Sequence, residues 1–535
     1  MHRVTFLLSA VAAVPFVVSL PAAERPRTES IKQSSAAPLI RVSPETTHLV
    51  APVDAEGYVD FLAALNAHYG KGVSPSENAA IPLLEALGDA DHPSNTMNMV
   101  RQSLGMSPLG DTSRALVSAA KYARTAGVSE EDFQKQLNVA LDRPWTKDEF
   151  PQLADLLVRN TDALAQVHQA VQRPKYFRPF TKAKPNLSMA SVLLPDIQMH
   201  REVARMLKSR AMLNIAGGQA EAARQDLYDM HRLARCTAQG MSIIEGLVGI
   251  AIESMACYGD NVWANQSGAT AAQLAAYRQQ LAALPPASNL VDRVDVTERL
   301  FLLEVLQMTA RGTLSPEESN ALIGEPNDSQ AQSMVKPAQL VAALSLVSID
   351  WNAAMVESNR FYDDIVVAGR VTDRAERLAL YEAWETRLKQ EKVRIAGNGG
   401  VEGATVAALR FAFGSSKSRA KDVSGVLCTL LLPAVKQATS AEESGRQRLQ
   451  MAQVALALAE YRAKEGQYPA QLSNLVPQFL AAIPEDVFAG QPLRYDSEGA
   501  AYRLYSVGRN GRDDGGITGS PQGADDIVFS DPATP

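Results

Sequence analysis

The sequence has few cysteines, and it lacks an excess of positive charge. Its three cysteines, among 535 residues, cannot form a disulfide framework. Cys236, Cys257 and Cys428 lie far apart in apolar helical contexts, which favours buried free thiols over one disulfide plus a reactive thiol. Lys and Arg total 52 against 59 Asp and Glu, a net charge of −7, so the composition does not predict nucleic-acid binding.

The sequence also lacks the common catalytic motifs. It contains no G-x-S-x-G, no Walker A motif and no complete G-x-G-x-x-G, which disfavours a nucleotide enzyme. Ser-x-x-Lys matches such as those at Ser333 and Ser418 occur at about the frequency that composition predicts, and Lys-Thr-Gly is absent. The seven histidines include no HExxH, and Asp196 with His200 is the single acid–histidine pair at i,i+4, so we predict no histidine metal site.

Long apolar runs are missing beyond the N-terminal segment. Met1–Arg3 is basic, Val4–Leu20 is uncharged, and small residues follow, which predicts a signal peptide or an uncleaved anchor over 1–23. No cysteine follows the run, so a lipoprotein anchor is not expected, and Val426–Leu432 is too short to span a membrane. We therefore expect an exported protein that is periplasmic, secreted or N-terminally anchored, with membrane contact only through this segment.

What is present is an ordinary globular composition, with 46% hydrophobic and 21% charged residues. At about 150 residues per domain, the length suggests three or four folding units. Residues 24–54 are polar and rich in Ser, Pro and Thr, which predicts a flexible tether. Helical signals dominate from 55 to 440, and we divide them into a helical region over 55–185 and a helical array over 186–440.

Helix-start signals support this interpretation. Ser74–Glu77 and Thr146–Glu149 have the pattern of capping boxes, and Ser129 with Asp132 is a weaker example. We expect one helix after the second box, with these apolar residues on one face: Leu153, Leu156, Leu157, Leu164 and Val167.

The middle of the chain predicts a helical hairpin around a buried helix. Pro195 begins one helix, and Gly217 with Gly218 ends it. Met241–Tyr258 is apolar nearly all round, as in a central buried helix. Helical patterns continue at 291–311 and 340–391 without strand signals. We therefore predict a mainly α fold with an antiparallel helical array, and leave a solenoid-like arrangement open because no fixed repeat period is found.

Residues 441–535 differ in character. A helix over about 441–464 is followed by Gly466 and by three short alternating runs, Pro492–Tyr495, Tyr502–Val507 and Asp526–Phe529. Together they predict a small α+β module with a short antiparallel sheet.

This module resembles the C-terminal globular part of type II secretion system protein G, the major pseudopilin. The similar segments keep the same order and spacing: Ala455–Tyr461, Gly466–Pro469, Ile483–Tyr495, Tyr505–Gly511, Asp513–Gly516 and Asp525–Ile527. The match covers 441–535, less than a fifth of the chain. The remainder is similar to large exported bacterial proteins of unknown function in segments such as Arg143–Thr146 and Ala211–Arg235, which implies no activity.

The resemblance implies a calcium ion in the loop between the last strands. Its ligands would be the Val507 carbonyl and the side chains of Asn510, Asp513, Asp514, Asp525 and Asp526. Oxygen-rich loops suit hard cations such as Ca²⁺, although the spacing is not that of an EF-hand. Asn510 stands where the family has an aspartate, which removes one charge. The alternative is a solvated acidic loop with glycine turns.

The chain departs from a pseudopilin upstream of the module. A pseudopilin begins with a prepilin-peptidase site and an apolar helix that packs into the filament, and this sequence has a long helical part instead. The departure favours a borrowed, pseudopilin-like module over a filament subunit.

Two glutamates interrupt the apolar central helix and are the candidate catalytic residues. Burial would raise the pKa of Glu245 and Glu253 and suit them to acid–base chemistry in a hydrolase. Eight residues separate them by about 12 Å along a helix, more than a glycosidase pair prefers. The alternative is ion pairing with Arg224, Arg232 or Arg235 on the preceding helix.

A basic and aromatic segment is the candidate anion or partner patch. Its residues are Arg173, Lys175, Tyr176, Phe177, Arg178, Phe180, Lys182 and Lys184. The segment could bind an acidic glycan, lipid head groups or an acidic protein face, and the alternative is an interhelix loop anchored by its aromatic side chains. Export makes nucleic acid an unexpected partner.

Three functions remain open from the sequence. The first is a non-catalytic interaction or scaffold protein with a protein partner in the cell envelope. The second is an accessory component of a type II secretion or pseudopilus-like assembly, and the third is a hydrolase that uses the buried glutamates.

Overall fold

The computed structural model describes residues 37–88, 94–110, 114–182, 187–189, 192, 194–287, 289–314, 347–396, 410–431, 434–498, 501–519 and 523–531. These residues form a mainly helical protein with a small C-terminal antiparallel sheet, which confirms the predicted fold class. The predicted signal segment 1–23 lies outside the described residues. Within the described part of the chain, no helix is both long enough and apolar enough to span a bilayer.

The helices are α1 (Pro44–Thr47), α2 (Phe61–Gly70), α3 (Ala80–Leu87), α4 (Ser94–Ser103), α5 (Ala119–Ala126), α6 (Glu130–Asp142), α7 (Pro151–Arg159), α8 (Thr161–Ala170), α9 (Pro195–Ala216), α10 (Ala220–Thr237), α11 (Ile243–Gln266), α12 (Ala271–Ala282), α13 (Leu290–Arg293), α14 (Arg299–Arg311), α15 (Trp351–Arg370), α16 (Arg374–Ala396), α17 (Ser416–Leu431) and α18 (Ala434–Glu465). A π-helical turn (Val294–Glu298) joins α13 to α14, and a 3₁₀ turn (Leu472–Leu475) follows α18.

The chain divides into two compact units, each built from three separate segments. Unit 1 contains the described parts of 1–69, 180–193 and 291–436, and unit 2 contains those of 70–179, 194–290 and 437–535. The boundaries predicted at 185 and 440 therefore do not match the division, because segments distant in sequence share one core.

In unit 1, α15 packs against α1, α14, α16 and α17. Asn359 on α15 donates hydrogen bonds to the carbonyls of Glu45 and Thr46 in α1, both at 2.9 Å. Ser43 caps α1, and Ile40 is fully buried. The prediction of a flexible tether over 24–54 is therefore wrong from residue 37 onward, because a partner helix supplies the hydrogen bonds that this polar segment needs.

In unit 2, the helices α9, α10 and α11 pack on one another. Pro195 begins α9 and Gly217 follows its end, as predicted. The helix predicted at Met241–Tyr258 is α11, and most of its side chains are buried. A Cβ atom at Gly249 of α11 would lie 2.8 Å from the carbonyl oxygen of Ala234 on α10, so glycine permits the close approach of these two helices.

The predicted helix starts are partly wrong. Ser129 caps α6 as expected, with its side chain accepting from the Asp132 N–H. Ser74–Glu77 and Thr146–Glu149 form turns, and the next helices begin at Ala80 and Pro151. The single helix expected after Thr146–Glu149 is two helices, since the buried Asn160 between them bonds the backbone N–H and carbonyl of Val117.

The C-terminal module has the predicted elements. Strands β3 (Arg494–Glu498), β4 (Ala501–Ser506) and β5 (Ile527–Ser530) form an antiparallel sheet in that order. A further two-stranded ribbon of β1 (Glu485–Asp486) and β2 (Gln491–Pro492) was not predicted. The sheet and α18 share a hydrophobic core with Cys257 of α11, so the module belongs to unit 2.

Candidate functional site

The loop between β4 and β5 is closed at its base by a glycine. Gly508 has a φ of +66°, and a Cβ atom there would overlap the Asp525 carbonyl oxygen. Thr518 and Asp525 also form an isolated antiparallel bridge. These contacts bring the two sides of the loop together and place its polar residues near each other.

Four of the predicted calcium ligands lie in this loop in one hydrogen-bonded arrangement. Asp525 accepts from the backbone N–H groups of Arg509 and Asn510 at 3.2 and 3.3 Å. The Asn510 side chain donates to Asp514 at 2.8 Å. Asp526 accepts from the Gly516 N–H through Oδ2 at 2.8 Å.

Asp526 is the carboxylate with spare acceptor capacity. Its Oδ1 is buried and has no hydrogen-bond partner. Burial raises the pKa of Asp526, and the negative charges of Asp514 and Asp513 raise it further, against the lowering effect of the backbone N–H groups of Gly516 and Asp514. A cation beside this side chain would relieve both effects.

Asp513 is engaged differently from the other predicted ligands. It accepts from Arg494 Nε and from the Tyr505 hydroxyl, both at 3.2 Å. A hydrogen bond from the Gly515 N–H, together with those from Arg494 and Tyr505, lowers the pKa of Asp513. The structure therefore places Asp513 beside β3 and β4 as the partner of an arginine.

The base of the loop is held by a residue that the sequence analysis missed. Asp486, in β1, accepts from the Val507 N–H at 2.8 Å and from the Ser506 hydroxyl at 2.9 Å. Its side chain is buried, and it also accepts from the Phe488 N–H. Asp486 thus fixes the backbone at Val507, whose carbonyl is one of the predicted ligands.

Glu245 caps the helix on which it lies. Its Oε2 accepts from the backbone N–H and the hydroxyl of Ser242, both at 2.9 Å, in a capping box. Burial raises the pKa of Glu245, while the Ser242 hydrogen bonds and the charge of Arg178 act against the rise. A Cβ atom at Gly240 would overlap this carboxylate, so protein atoms are packed closely around it.

Glu253 is held in a buried ion pair. Both terminal nitrogens of Arg235 lie 2.8 Å from its carboxylate oxygens. Although burial opposes the effect, His231 and Arg235 lower the pKa of Glu253. Of the three arginines predicted as partners, Arg235 makes the ion pair, whereas Arg224 pairs with Glu221 and Arg232 donates to a backbone carbonyl.

The structure does not present the basic and aromatic segment as one exposed patch. In unit 2, Arg178 is fully buried and paired with Asp196 at 2.9 Å, and Tyr176 is buried. Arg173 donates to the carbonyls of Pro75 and Asn78.

The remaining cations of this segment also have structural partners. Lys175 donates to the Gly72 carbonyl and to Glu77. In unit 1, Phe180 is buried and Lys182 pairs with Glu304 at 2.5 Å. Lys184 lies outside the described residues. The described cations of the segment therefore have protein partners, and the anion or partner patch stays a prediction.

A second set of ionisable side chains lies between α10 and α11. His231 Nε2 is 2.8 Å from Asp260 Oδ2, and the Tyr277 hydroxyl donates to Asp260 Oδ1 at 2.6 Å. Cys257 lies beside them, one helical turn before Asp260. The sequence analysis missed this cluster because it looked for partners near each histidine along the chain, and 29 positions separate His231 from Asp260.

Comparison of the chain with protein-family models, curated proteins and solved structures finds no match.

Proposed function

We propose that the chain is an exported cell-envelope protein that acts as a non-catalytic interaction or scaffold protein, and that its C-terminal loop binds calcium. The observation that carries the calcium proposal is the buried, unpartnered Oδ1 of Asp526. It lies in a loop where Asn510, Asp514 and Asp525 supply further oxygen atoms, which is the donor chemistry that Ca²⁺ prefers.

The contacts of the two candidate glutamates support a non-catalytic role. Glu245 is used as a helix cap and Glu253 as the partner of Arg235. A general acid or base must reach a substrate within hydrogen-bond distance, and both carboxylates are buried against protein groups. The hydrolase alternative is therefore the less favoured one.

A calcium site in a surface loop would suit an interaction protein outside the cytoplasm. Extracellular calcium modules bind with dissociation constants of about 10⁻⁴ to 10⁻³ M, so the ion would be bound where calcium is abundant. Binding would order the exposed part of the loop and present it to a protein partner in the envelope.

The test uses the full chain, expressed with its N-terminal segment in a bacterial host. Cell fractionation locates the protein, and cross-linking in intact envelopes compares added calcium with a chelator. We expect an envelope location and calcium-dependent cross-links to protein that disappear in Asp526→Asn. Asp496→Asn, an exposed aspartate of β3 outside the loop, is the matched control and should keep them.

Two results would contradict the proposal. A cytoplasmic location of the full chain would exclude export. Identical cross-links with calcium and with chelator, in wild type and in both variants, would exclude a calcium-dependent interaction.

The accessory secretion component is a second candidate. The order of α18 and the antiparallel sheet supports it, since this is the arrangement that the resemblance to protein G implies. Co-purification with secretion-assembly proteins from envelopes would favour this candidate over a general scaffold.

A further inference from the structure

The helices α10 and α11 bring three metal-ligating side chains together inside unit 2. His231, Cys257 and Asp260 are all buried, and one ligand atom of each lies within 4.8 Å of the others. Among the described residues, this is the one group of three or more His, Cys, Asp or Glu side chains with that geometry.

The positions follow from the helices. Cys257 and Asp260 are three residues apart on α11 and so project from the same face. That face meets α10 closely, since a Cβ atom at Gly259 would overlap Leu227. The close approach places His231 of α10 within reach of both α11 ligands.

The surrounding side chains orient the three ligands. The Tyr277 hydroxyl donates a hydrogen bond to Asp260 Oδ1, and Asp260 Oδ2 faces His231. The other ring nitrogen of His231, Nδ1, is buried without a hydrogen bond and lies 3.5 Å from Glu253, which Arg235 holds in place. A histidine that binds a metal through one nitrogen usually directs the other at a carboxylate in this way.

We propose that His231, Cys257 and Asp260 bind one zinc-class divalent ion that links α10 to α11. A set of one thiolate, one imidazole and one carboxylate is typical of zinc, whereas calcium takes oxygen ligands alone. Three protein ligands leave one position of a tetrahedral ion for a further donor. This site is separate from the acidic loop of the module in both residues and chemistry.

The proton count of the exchange is balanced. Without metal, His231 carries one proton on Nε2, 2.8 Å from Asp260 Oδ2, and one on Nδ1, which faces Glu253 and stays there when the ion binds; the Cys257 thiol carries another. Metal ligands bind deprotonated, so the protons on Nε2 and on the thiol leave to solvent when the ion enters. The two protons that leave carry the same charge as the divalent ion that enters. The net charge of the buried cluster, with its neighbours Arg235 and Glu253, therefore does not change.

The experiment measures metal in the purified, folded full chain. Zinc content is determined after purification without chelator, and a metal-free sample is loaded with Co²⁺ during refolding. We expect one zinc per chain and a thiolate-to-cobalt charge-transfer band. Cys257→Ser should lose the band and most of the zinc. Cys428→Ser, which removes a buried free thiol of unit 1, and Asp526→Asn in the module should keep both.

The wild-type measurement decides the question even if Cys257→Ser does not fold. A folded wild-type chain with substoichiometric zinc and no cobalt–thiolate band would overturn the proposal and leave a closed hydrogen-bond network at this place. Equal zinc retention in folded Cys257→Ser and Cys428→Ser would also overturn it.

Discussion

The hydroxyl of Tyr502 in β4 donates a hydrogen bond of 2.8 Å to the side-chain oxygen of Asn261 in α11, across 241 positions of sequence. The same asparagine donates to the Ser530 carbonyl of β5 at 2.8 Å. One buried amide therefore joins the central helix of unit 2 to two strands of the C-terminal module.

We expect Asn261→Ala to lower the free energy of unfolding by about 2–3 kcal/mol, because it leaves buried polar groups of Tyr502 and Ser530 with fewer partners. Chemical denaturation of the full chain measures the change. Gln266→Ala, an exposed position at the end of the same helix, should change it by less than about 0.5 kcal/mol. Equal effects of the two substitutions would contradict the prediction.

Glu253→Gln should destabilise the chain by about 3–5 kcal/mol, because it leaves the buried Arg235 guanidinium without a charged partner. Glu221→Gln breaks the more exposed ion pair between Glu221 and Arg224, which lie on α10 with Arg235. It should lower the free energy of unfolding by less than about 1 kcal/mol. Thermal unfolding of both variants, with circular dichroism as the signal, compares them. A small effect of Glu253→Gln would show that the pair is not stabilising.

His200 predicts a loss of stability in acid. Burial lowers the pKa of His200 to about 4, with Asp196 opposing and Arg178 reinforcing the effect. The unfolded chain, with a pKa near 6.5, binds the proton first, so stability falls as the pH falls from about 6.5 to about 4, by at most about 3 kcal/mol.

The variant His200→Gln tests the assignment, since glutamine does not titrate and can still bond the Thr237 hydroxyl that lies 2.9 Å from His200. We expect a shallower dependence of the unfolding free energy on pH between 4 and 6.5. A curve parallel to that of wild type would assign the acid sensitivity to another group.

Asp526→Asn should affect the module in opposite ways with and without calcium. Without calcium the variant should be at least as stable as wild type, since it removes a charge that burial and Asp514 disfavour. With calcium, only wild type should gain melting temperature, because the variant lacks an anionic ligand. Differential scanning calorimetry with calcium and with EDTA measures both effects, and Asp496→Asn serves as the control that keeps the calcium response.

Gly249→Ala should destabilise unit 2 by about 1–3 kcal/mol, since the added methyl would lie 2.8 Å from both the Ala234 carbonyl oxygen and the Ala238 side chain. Gly217→Ala is the matched control, with its nearest contact at 3.5 Å. Urea denaturation should separate the two variants. A neutral Gly249→Ala would mean that α10 and α11 can move apart without cost.

Local signals in the sequence predicted much of the fold. Pro195 and Gly217 mark the two ends of α9, and the uninterrupted apolar character of 241–258 predicts the buried helix α11. The alternating runs near the C-terminus predict the three strands of the main sheet. These features depend on neighbouring residues, which a sequence displays directly.

Features that depend on distant partners were not predictable in the same way. Residues 37–47 have the composition of a tether, yet hydrogen bonds from Asn359 and the burial of Ile40 order them. Arg178 has the sequence context of a surface cation, yet it is buried against Asp196. In both cases the free energy comes from a pairing that no local pattern encodes.

The candidate site was predicted in part for the same reason. The sequence placed Asn510, Asp514, Asp525 and Asp526 in one loop because all four lie between the last two predicted strands, and the Thr518–Asp525 bridge brings the two sides of that loop together. The hydrogen bond from Arg494 to Asp513 depends on the register of β3, which cannot be read from the sequence.

The interleaving of the two units along the chain has a consequence for biosynthesis. The Arg41 N–H near the start of unit 1 can donate to the Asn352 side-chain oxygen only after Asn352 has been made, and unit 2 is completed only by β5 at 527–530. A ribosome must therefore complete the third segment of a unit, 291–436 for unit 1 and 437–535 for unit 2, before the core of that unit can close. Unit 2 is therefore completed late in synthesis, and a truncation that removes β5 would leave its core without Ile527 and Phe529.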